Sequence, residues 1–223
     1  MTAHHRFDEI SIEDLVAQGS MKWTRNEGHL AAFVAEMDFG TAPAVSEALH
    51  TAIDHAQLGY LPPAVKTDMS QATSDYLTSH YDWKVAPGQI YPTADVLSAY
   101  TVVLETLSRP GAPVILPTPA YMPFLTLTPA RGREVIQVPM IEGENGRLEM
   151  DLVGIAQGFE QGAEMFILCN PHNPLGRVYS REELEALAAV VDAHQGLVFS
   201  DEIHAPLTFP GHRHIPYASL SET

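Results

Sequence analysis

The chain holds one cysteine, Cys169, in 223 residues. A single cysteine excludes an internal disulfide framework and fits a reducing cytosol, so a cytoplasmic protein is expected. Cationic side chains are also scarce: 12 Lys and Arg stand against 28 Asp and Glu, a formal net charge of −16. A surface this acidic repels nucleic acid, and no basic run offsets it, so no nucleic-acid partner is expected. The simplest consequence of the charge is a well-solvated surface. No apolar run approaches the roughly 20 residues that span a bilayer. The N-terminal MTAHHRFDEI has no apolar stretch of the signal-peptide kind, and no membrane association is expected. Internal repeats and low-complexity segments are absent as well.

Hydrophobic residues make up 45% of the chain, enough for a sizeable core. The length suits one large domain, or one and a half smaller ones. Seventeen prolines and fifteen glycines divide it into short units. Residues 1–40 read as irregular. Pro43 opens a helix carrying Val45, Leu49, Ala52 and Ile53 on one face. Pro62-Pro63 reads as loop, and Asp68 to Tyr81 as a helix. From there helices and strands alternate: helix from Val96 to Leu107, strand at Pro113–Leu116, helix from Tyr121 to Thr128, strand from Glu134 to Val138. A helix from Asp151 to Phe159 and a strand at Met165–Leu168 follow. Ser180 and Glu183 form a capping box for a helix with Leu184, Leu187, Ala188 and Val191 inward. Gly196 ends it before a strand at Leu197–Ser200. This alternation predicts an α/β fold, a mainly parallel sheet with helices on both faces.

In such sheets ligands sit beyond the carboxyl ends of the strands. That rule selects Asp201, Asn173, Tyr121 and the helix start at Asp95-Val96. Asp201 follows a buried strand, so its carboxylate must be paired, capped or bonded. It is either a structural partner or faces a cationic ligand group. Asn173, in an Asn-Pro step, either shapes its own turn or offers its amide to a ligand oxygen. Tyr121 is either a rim aromatic or a stacking platform. The helix start is either a simple N-cap by Thr93 or Asp95, or an anion site made of free N–H groups.

The wording of these segments resembles the fold-type I enzymes of the class I/II aminotransferase superfamily, which use pyridoxal 5'-phosphate (PLP). The matches are PTPAY (Pro117–Tyr121), CNPHNPLGRVY (Cys169–Tyr179) and SDEIHAPL (Ser200–Leu207). AEMDF (Ala35–Phe39), LGY (Leu58–Tyr60) and GHRHIPYASLSE resemble the branch of cystathionine β-lyases and the maltose-regulon modulator. The resemblance implies a PLP-dependent transferase-like, three-layer α/β/α fold. It implies a small-domain segment at 1–42 and part of a PLP-binding large domain at 43–223. Asp201 is implied to bond the pyridine nitrogen, Asn173 the phenolic oxygen, with His204 on that same side. Tyr121 is implied to stack on the ring, and amides around Asp95 and Val96 to hold the phosphate. Tyr60 is implied to reach the phosphate of a neighbouring subunit, hence a homodimer. Met37, Asp38 and Phe39 are implied to line the substrate side.

The implied reaction is α,β-elimination from cystathionine or a cysteine S-conjugate, giving a thiol, pyruvate and ammonia. An aminotransferase of the same fold would share every one of the PLP-contacting residues, and a regulatory role by protein contact is a further alternative. A metal site built on His204, His212 and His214 lacks a fourth ligand at suitable spacing, and no metal is expected. The sequence departs from the pattern in two places. Leu175 replaces the usual threonine of NPTG. Lys22, Lys66 and Lys84 are the chain's only lysines, and none stands in the Ser-x-Ser-Lys-like motif that supplies the Schiff base. The chain therefore reads as an N-terminal fragment, incomplete at its C-terminus and inactive by itself.

Overall fold

The computed structural model describes residues 9–26, 28–143 and 146–220. The expectation of irregular chain over residues 1–8 lies outside these, as do Ser221 and Glu222 of the histidine-rich motif. The chain divides into two compact units, Met1–Leu61 and Pro62–Thr223.

Among its described residues the first unit carries three helices: α1 (Ile12–Ala17), α2 (Met21–Thr24) and α3 (Pro43–Asp54). The first two correct the expectation that residues 1–40 are irregular. Ser11 and Asp14 form a reciprocal capping box, which satisfies the donors at the start of a helix too short to show periodicity. Proline at the first turn starts α3 as expected. Its apolar face, Val45, Leu49 and Ile53, is exposed.

The second unit begins with α4 (Pro63–Tyr81), five residues earlier than the polar Asp68 start expected from the sequence. Its buried face is made of hydroxyls rather than hydrocarbon. Ser70 donates to the Ile90 carbonyl at 3.2 Å and Ser74 to the Val85 carbonyl at 2.6 Å. After α5 (Val96–Leu107) come β1 (Val114–Thr118), α6 (Met122–Ala130) and β2 (Val135–Pro139). A two-residue hairpin follows, β3 (Ile141–Glu142) with β4 (Leu148–Glu149), which the sequence did not signal. Then come α7 (Leu152–Glu160), β5 (Met165–Cys169), α8 (Arg181–Ala193) and β6 (Leu197–Asp201).

The four long strands are all parallel, in the order β2-β1-β5-β6. Side chains alternate across the sheet with the period-2 rule. Val114, Leu116, Met165, Ile167 and Phe199 pack with Tyr100 and Phe124 under α5 and α6. Ile115, Phe166 and Leu168 pack with Ile155, Leu184 and Leu187 under α7 and α8. The three-layer expectation is therefore met. The helix α7 lies close to β1 because residue 158 is glycine: a Cβ there would stand 2.8 Å from Ile115 Cγ1 and Cδ1. At the far end of α5, the buried Arg133 donates to Leu104 O at 3.0 Å, to Ser108 Oγ at 3.1 Å and to Arg109 O. A guanidinium there satisfies carbonyls that the helix end leaves open and complements its dipole.

Candidate functional site

The chain leaves β1 toward β2 on one side, and β5 leads to β6 on the other. The crevice between the carboxyl ends of β1 and β5 is thus the point where strand order reverses, the place where open α/β sheets bind ligands. Tyr121 follows β1, Asn173 follows β5, and Asp201 ends the adjacent β6.

Alternation along β6 puts Phe199 under α5 and α6, and so directs Asp201 to that same face. Asp201 is 5% exposed, yet its carboxylate accepts a single bond among the described residues, from the Ile203 N–H at 3.2 Å. Burial pushes its carboxyl above the ordinary range, offset in part by that N–H and by the nearby His204. A buried carboxylate with so little compensation is fitted to a cationic partner, and a protonated ring nitrogen is one. His204 is half-buried and caps the 3-10 turn Ala205–Leu207.

Tyr121 is the N-cap residue of α6 and keeps 38% of its surface exposed. Its ring meets the edge of Phe124 at 5.7 Å, and Phe124 in turn meets Tyr100 at 5.4 Å. Tyr100 also packs on Phe199, two residues before Asp201, at 5.1 Å. An aromatic layer therefore links the base of Tyr121 to the base of Asp201.

The segment Cys169–Tyr179 folds as a small hairpin. The His172 N–H donates to the Arg177 carbonyl at 2.8 Å, and the Gly176 N–H to the His172 carbonyl at 2.7 Å. Gly176 has φ +63°, a conformation that glycine adopts without strain. Arg177 lies over the Tyr179 ring, 4.8 Å from its centroid, and pairs with Glu183 at 2.5 Å. The peptide bonds before Pro119, Pro171 and Pro174 are cis. Asn173 is half-buried; its N–H donates to Cys169 Sγ at 3.4 Å, and its side-chain amide has no hydrogen bond among the described residues. Asn170, beneath it, is fully buried and accepts the Tyr179 N–H at 3.2 Å. Burial, with the Arg177 charge, pushes His172 down to about 4. Burial pushes the Cys169 thiol up to about 11. Asn170 and His172 thus form the support of the turn.

Asp95 is the N-cap of α5: its carboxylate accepts the Ser98 N–H at 2.6 Å, which holds the carboxyl below its ordinary value. The Val96 and Leu97 N–H groups, at the first two helical positions, have no intrahelical partner. Of the two sequence readings for this helix start, the N-cap is present; the Asp95 carboxylate also draws on the Leu97 N–H, and the Val96 amide remains for an anion.

The other predicted positions lie in the first unit. Asp38 accepts Lys22 Nζ and Trp23 Nε1, both at 2.7 Å, and these bonds hold its carboxyl below the ordinary range. Met37, Phe39 and Tyr60 are exposed. No group of three His, Cys, Asp or Glu is placed to hold a metal among the described residues. No helix among them is long and apolar enough to cross a membrane. Glu202 carries no assigned role in the sequence and His214 enters there only as a metal-ligand candidate; here the two join at 2.9 Å beside Asp201. The one available signal was an acidic residue directly after Asp201 in SDEIH.

A family model described as aminotransferase class I and II matches residues 34–223. A cystathionine beta-lyase from Corynebacterium glutamicum is 35% identical over 97% of this chain and 56% of its own length. Among solved structures, a provisionally assigned PLP-dependent beta-cystathionase from Corynebacterium diphtheriae is 38% identical, with a TM-score of 0.86, over 96% of this chain and 54% of that one. The PLP-bound C-S lyase from Staphylococcus hominis is 25% identical, with a TM-score of 0.84, over 97% and 56%. The chain spans about half the length of the curated relatives it matches.

Proposed function

Because this chain belongs to the aminotransferase class I and II family, we propose that it forms the PLP-binding part of a carbon-sulfur β-lyase. The substrate class is cystathionine or a cysteine S-conjugate, and the products are a thiol, pyruvate and ammonia. The observation that carries the cofactor assignment is Asp201, a buried carboxylate with one hydrogen bond at the ligand edge of the sheet. The relatives' names support the lyase over the aminotransferase, which uses the same cofactor contacts.

PLP, when bound, supplies an electron sink for negative charge at the α-carbon of an amino acid. The chain's residues make that sink effective. Asp201 holds a proton on the ring nitrogen, because a carboxylate in a low-dielectric site favours the charged form of its neighbour. Asn173 donates its side-chain amide to the phenolic oxygen, with His204 on the same side. Tyr121 covers one ring face and excludes water there. The backbone amides around Asp95 and Val96, at the positive end of α5, bind the phosphate beside the Asp95 cap. Met37, Asp38 and Phe39 line the substrate side, and Tyr60 serves the phosphate of a second copy in a homodimer. Residues 1–42 belong to a small domain and 43–223 to the large one. Cytoplasmic residence completes the proposal.

The cofactor half of the proposal is tested by titrating PLP into the purified chain and following Trp fluorescence. Saturable binding that Asp201→Ala weakens at least tenfold is expected; no saturation would overturn it. The lyase half is tested on the enzyme that contains this chain together with its Schiff-base lysine. Pyruvate release from cystathionine without an added keto acid is expected. Turnover that requires a keto-acid acceptor would assign an aminotransferase instead.

A further inference from the structure

Asp201 is poorly held by its own contacts. Its side chain has one hydrogen bond, at 3.2 Å, so its direction depends on the backbone around it. On the N-terminal side the parallel ladder to β5 fixes that backbone. On the C-terminal side the chain enters an irregular stretch, with 3-10 turns only at Ala205–Leu207 and Tyr217–Ser219.

Glu202 stands at the start of that stretch. Its Oε1 accepts the Ser200 hydroxyl at 2.7 Å and the Tyr217 N–H at 2.8 Å. Its Oε2 meets His214 Nε2 at 2.9 Å. A carboxylate only accepts, so Nε2 carries the proton. The His214 side chain is fully buried, and the edge of Tyr81, at the end of α4, packs against its ring at 5.2 Å. Tyr81 itself is pushed up to about 12, first by burial, then by Tyr76 and the Glu202 charge. Tyr217 and Ile215 pack against the α7/α8 core. Strand alternation places Ser200 on that face as well, opposite the face of Asp201.

We propose that Glu202 is a positioning residue: from the far face of the sheet, it ties both ends of the 202–217 loop and thereby aims Asp201 and His204 at the ligand edge. One carboxylate closes a link from residue 202 to residue 217 and another to residue 214. Closing a loop of this length removes most of its freedom, and His204 sits two residues inside it. The bonds are charge-assisted and partly shielded, since Glu202 is 21% exposed at its side chain. The proposal rests on the PLP reading only for what Asp201 faces.

The experiment compares wild type, Glu202→Ala, Glu202→Gln, Asp201→Ala and the Asp201→Ala/Glu202→Ala double variant, with Gly158→Ala as a destabilised control remote from the strand ends. Amide exchange of Ile203, the donor to Asp201, is read by NMR on the PLP-free chain. Protection is expected to fall at least tenfold in Glu202→Ala and to hold in Gly158→Ala. PLP affinity is expected to fall at least tenfold in Glu202→Ala and to recover to within about threefold of wild type in Glu202→Gln, which keeps the acceptor for Ser200 and Tyr217. In the Asp201→Ala background, removing Glu202 should cost clearly less affinity than in wild type, only the share carried by His204, the signature of a residue acting through others. Unchanged Ile203 protection, or additive affinity losses, would overturn the proposal. If wild type takes up no PLP, the cofactor reading falls, and Ile203 exchange alone decides the role of Glu202.

Discussion

The Asn170 N–H donates to the Asp201 carbonyl at 2.9 Å. This bond extends the β5–β6 ladder by one step and joins the turn that carries Asn173 to the residue that carries the buried carboxylate. The spacing between the two candidate ring contacts is therefore set by backbone pairing rather than by side-chain packing.

Asp201→Asn separates cofactor binding from stability. Burial raises the Asp201 carboxyl, ahead of the opposing Ile203 N–H and His204. A carboxyl raised by folding favours the fold while protonated. That contribution is complete below the ordinary Asp range and is lost as pH rises through the raised value. Asp201→Asn should therefore raise the melting temperature of the PLP-free chain at about pH 7 and leave it unchanged at about pH 3. PLP affinity should fall about 10- to 100-fold, the worth of one charge-assisted hydrogen bond. Thermal melts at both pH values and a fluorescence titration check this; unchanged affinity would remove Asp201 from the ring nitrogen.

His172 gives the chain a pH dependence of the opposite sign. Burial takes it from 6.5 down to about 4. A histidine lowered by folding contributes stability that is complete above about 6.5 and is lost as pH falls toward about 4. The full contribution is about 3 kcal/mol as an upper bound. Urea unfolding of wild type and His172→Gln across that window should show the difference between them shrinking as pH falls. Parallel curves would mean that His172 does not titrate in the folded turn.

Arg133→Ala should destabilise the chain by about 1–3 kcal/mol, because it removes a buried guanidinium and leaves the Leu104 and Arg109 carbonyls with one donor each, the Ser108 hydroxyl and the Ala112 N–H. Arg133→Lys should recover part of this, since one ammonium cannot span the acceptors that the guanidinium fork reaches. Denaturant midpoints measure both. Equal stability of all three proteins would show that water serves these acceptors as well.

Gly158→Ala should cost about 1–3 kcal/mol by driving a methyl group into the fully buried Ile115. The added Ile115→Val substitution should restore part of the loss if the clash with Cδ1 is its source. Chemical unfolding of the single and double variants gives the answer, and additive losses would place the strain elsewhere.

Much of the second unit was legible because each element carries a local signal. Ser180 and Glu183 mark the start of α8, and Leu184, Leu187 and Val191 face inward as their spacing implies. The strands β1, β5 and β6 appear where β-branched and apolar runs meet prolines or glycine. Less legible were elements stabilised by few or polar contacts. The helix α4 buries Ser70 and Ser74, so its start carried no apolar pattern. The helix α1 rests on one capping box, and the β3–β4 hairpin is two residues long on each strand.

The sequence by itself determined the layered α/β class and the positions of Tyr121, Asn173 and Asp201 at or after the ends of their strands, because periodicity and turn chemistry are local properties of a chain. Only the tertiary structure decided that Asp95 takes the Ser98 N–H for itself and that Asp201 is buried with one hydrogen bond. It alone joined Glu202 to His214 and Tyr217. Those facts depend on where side chains from distant positions meet, and an irregular loop leaves no period in the sequence from which to read such a meeting.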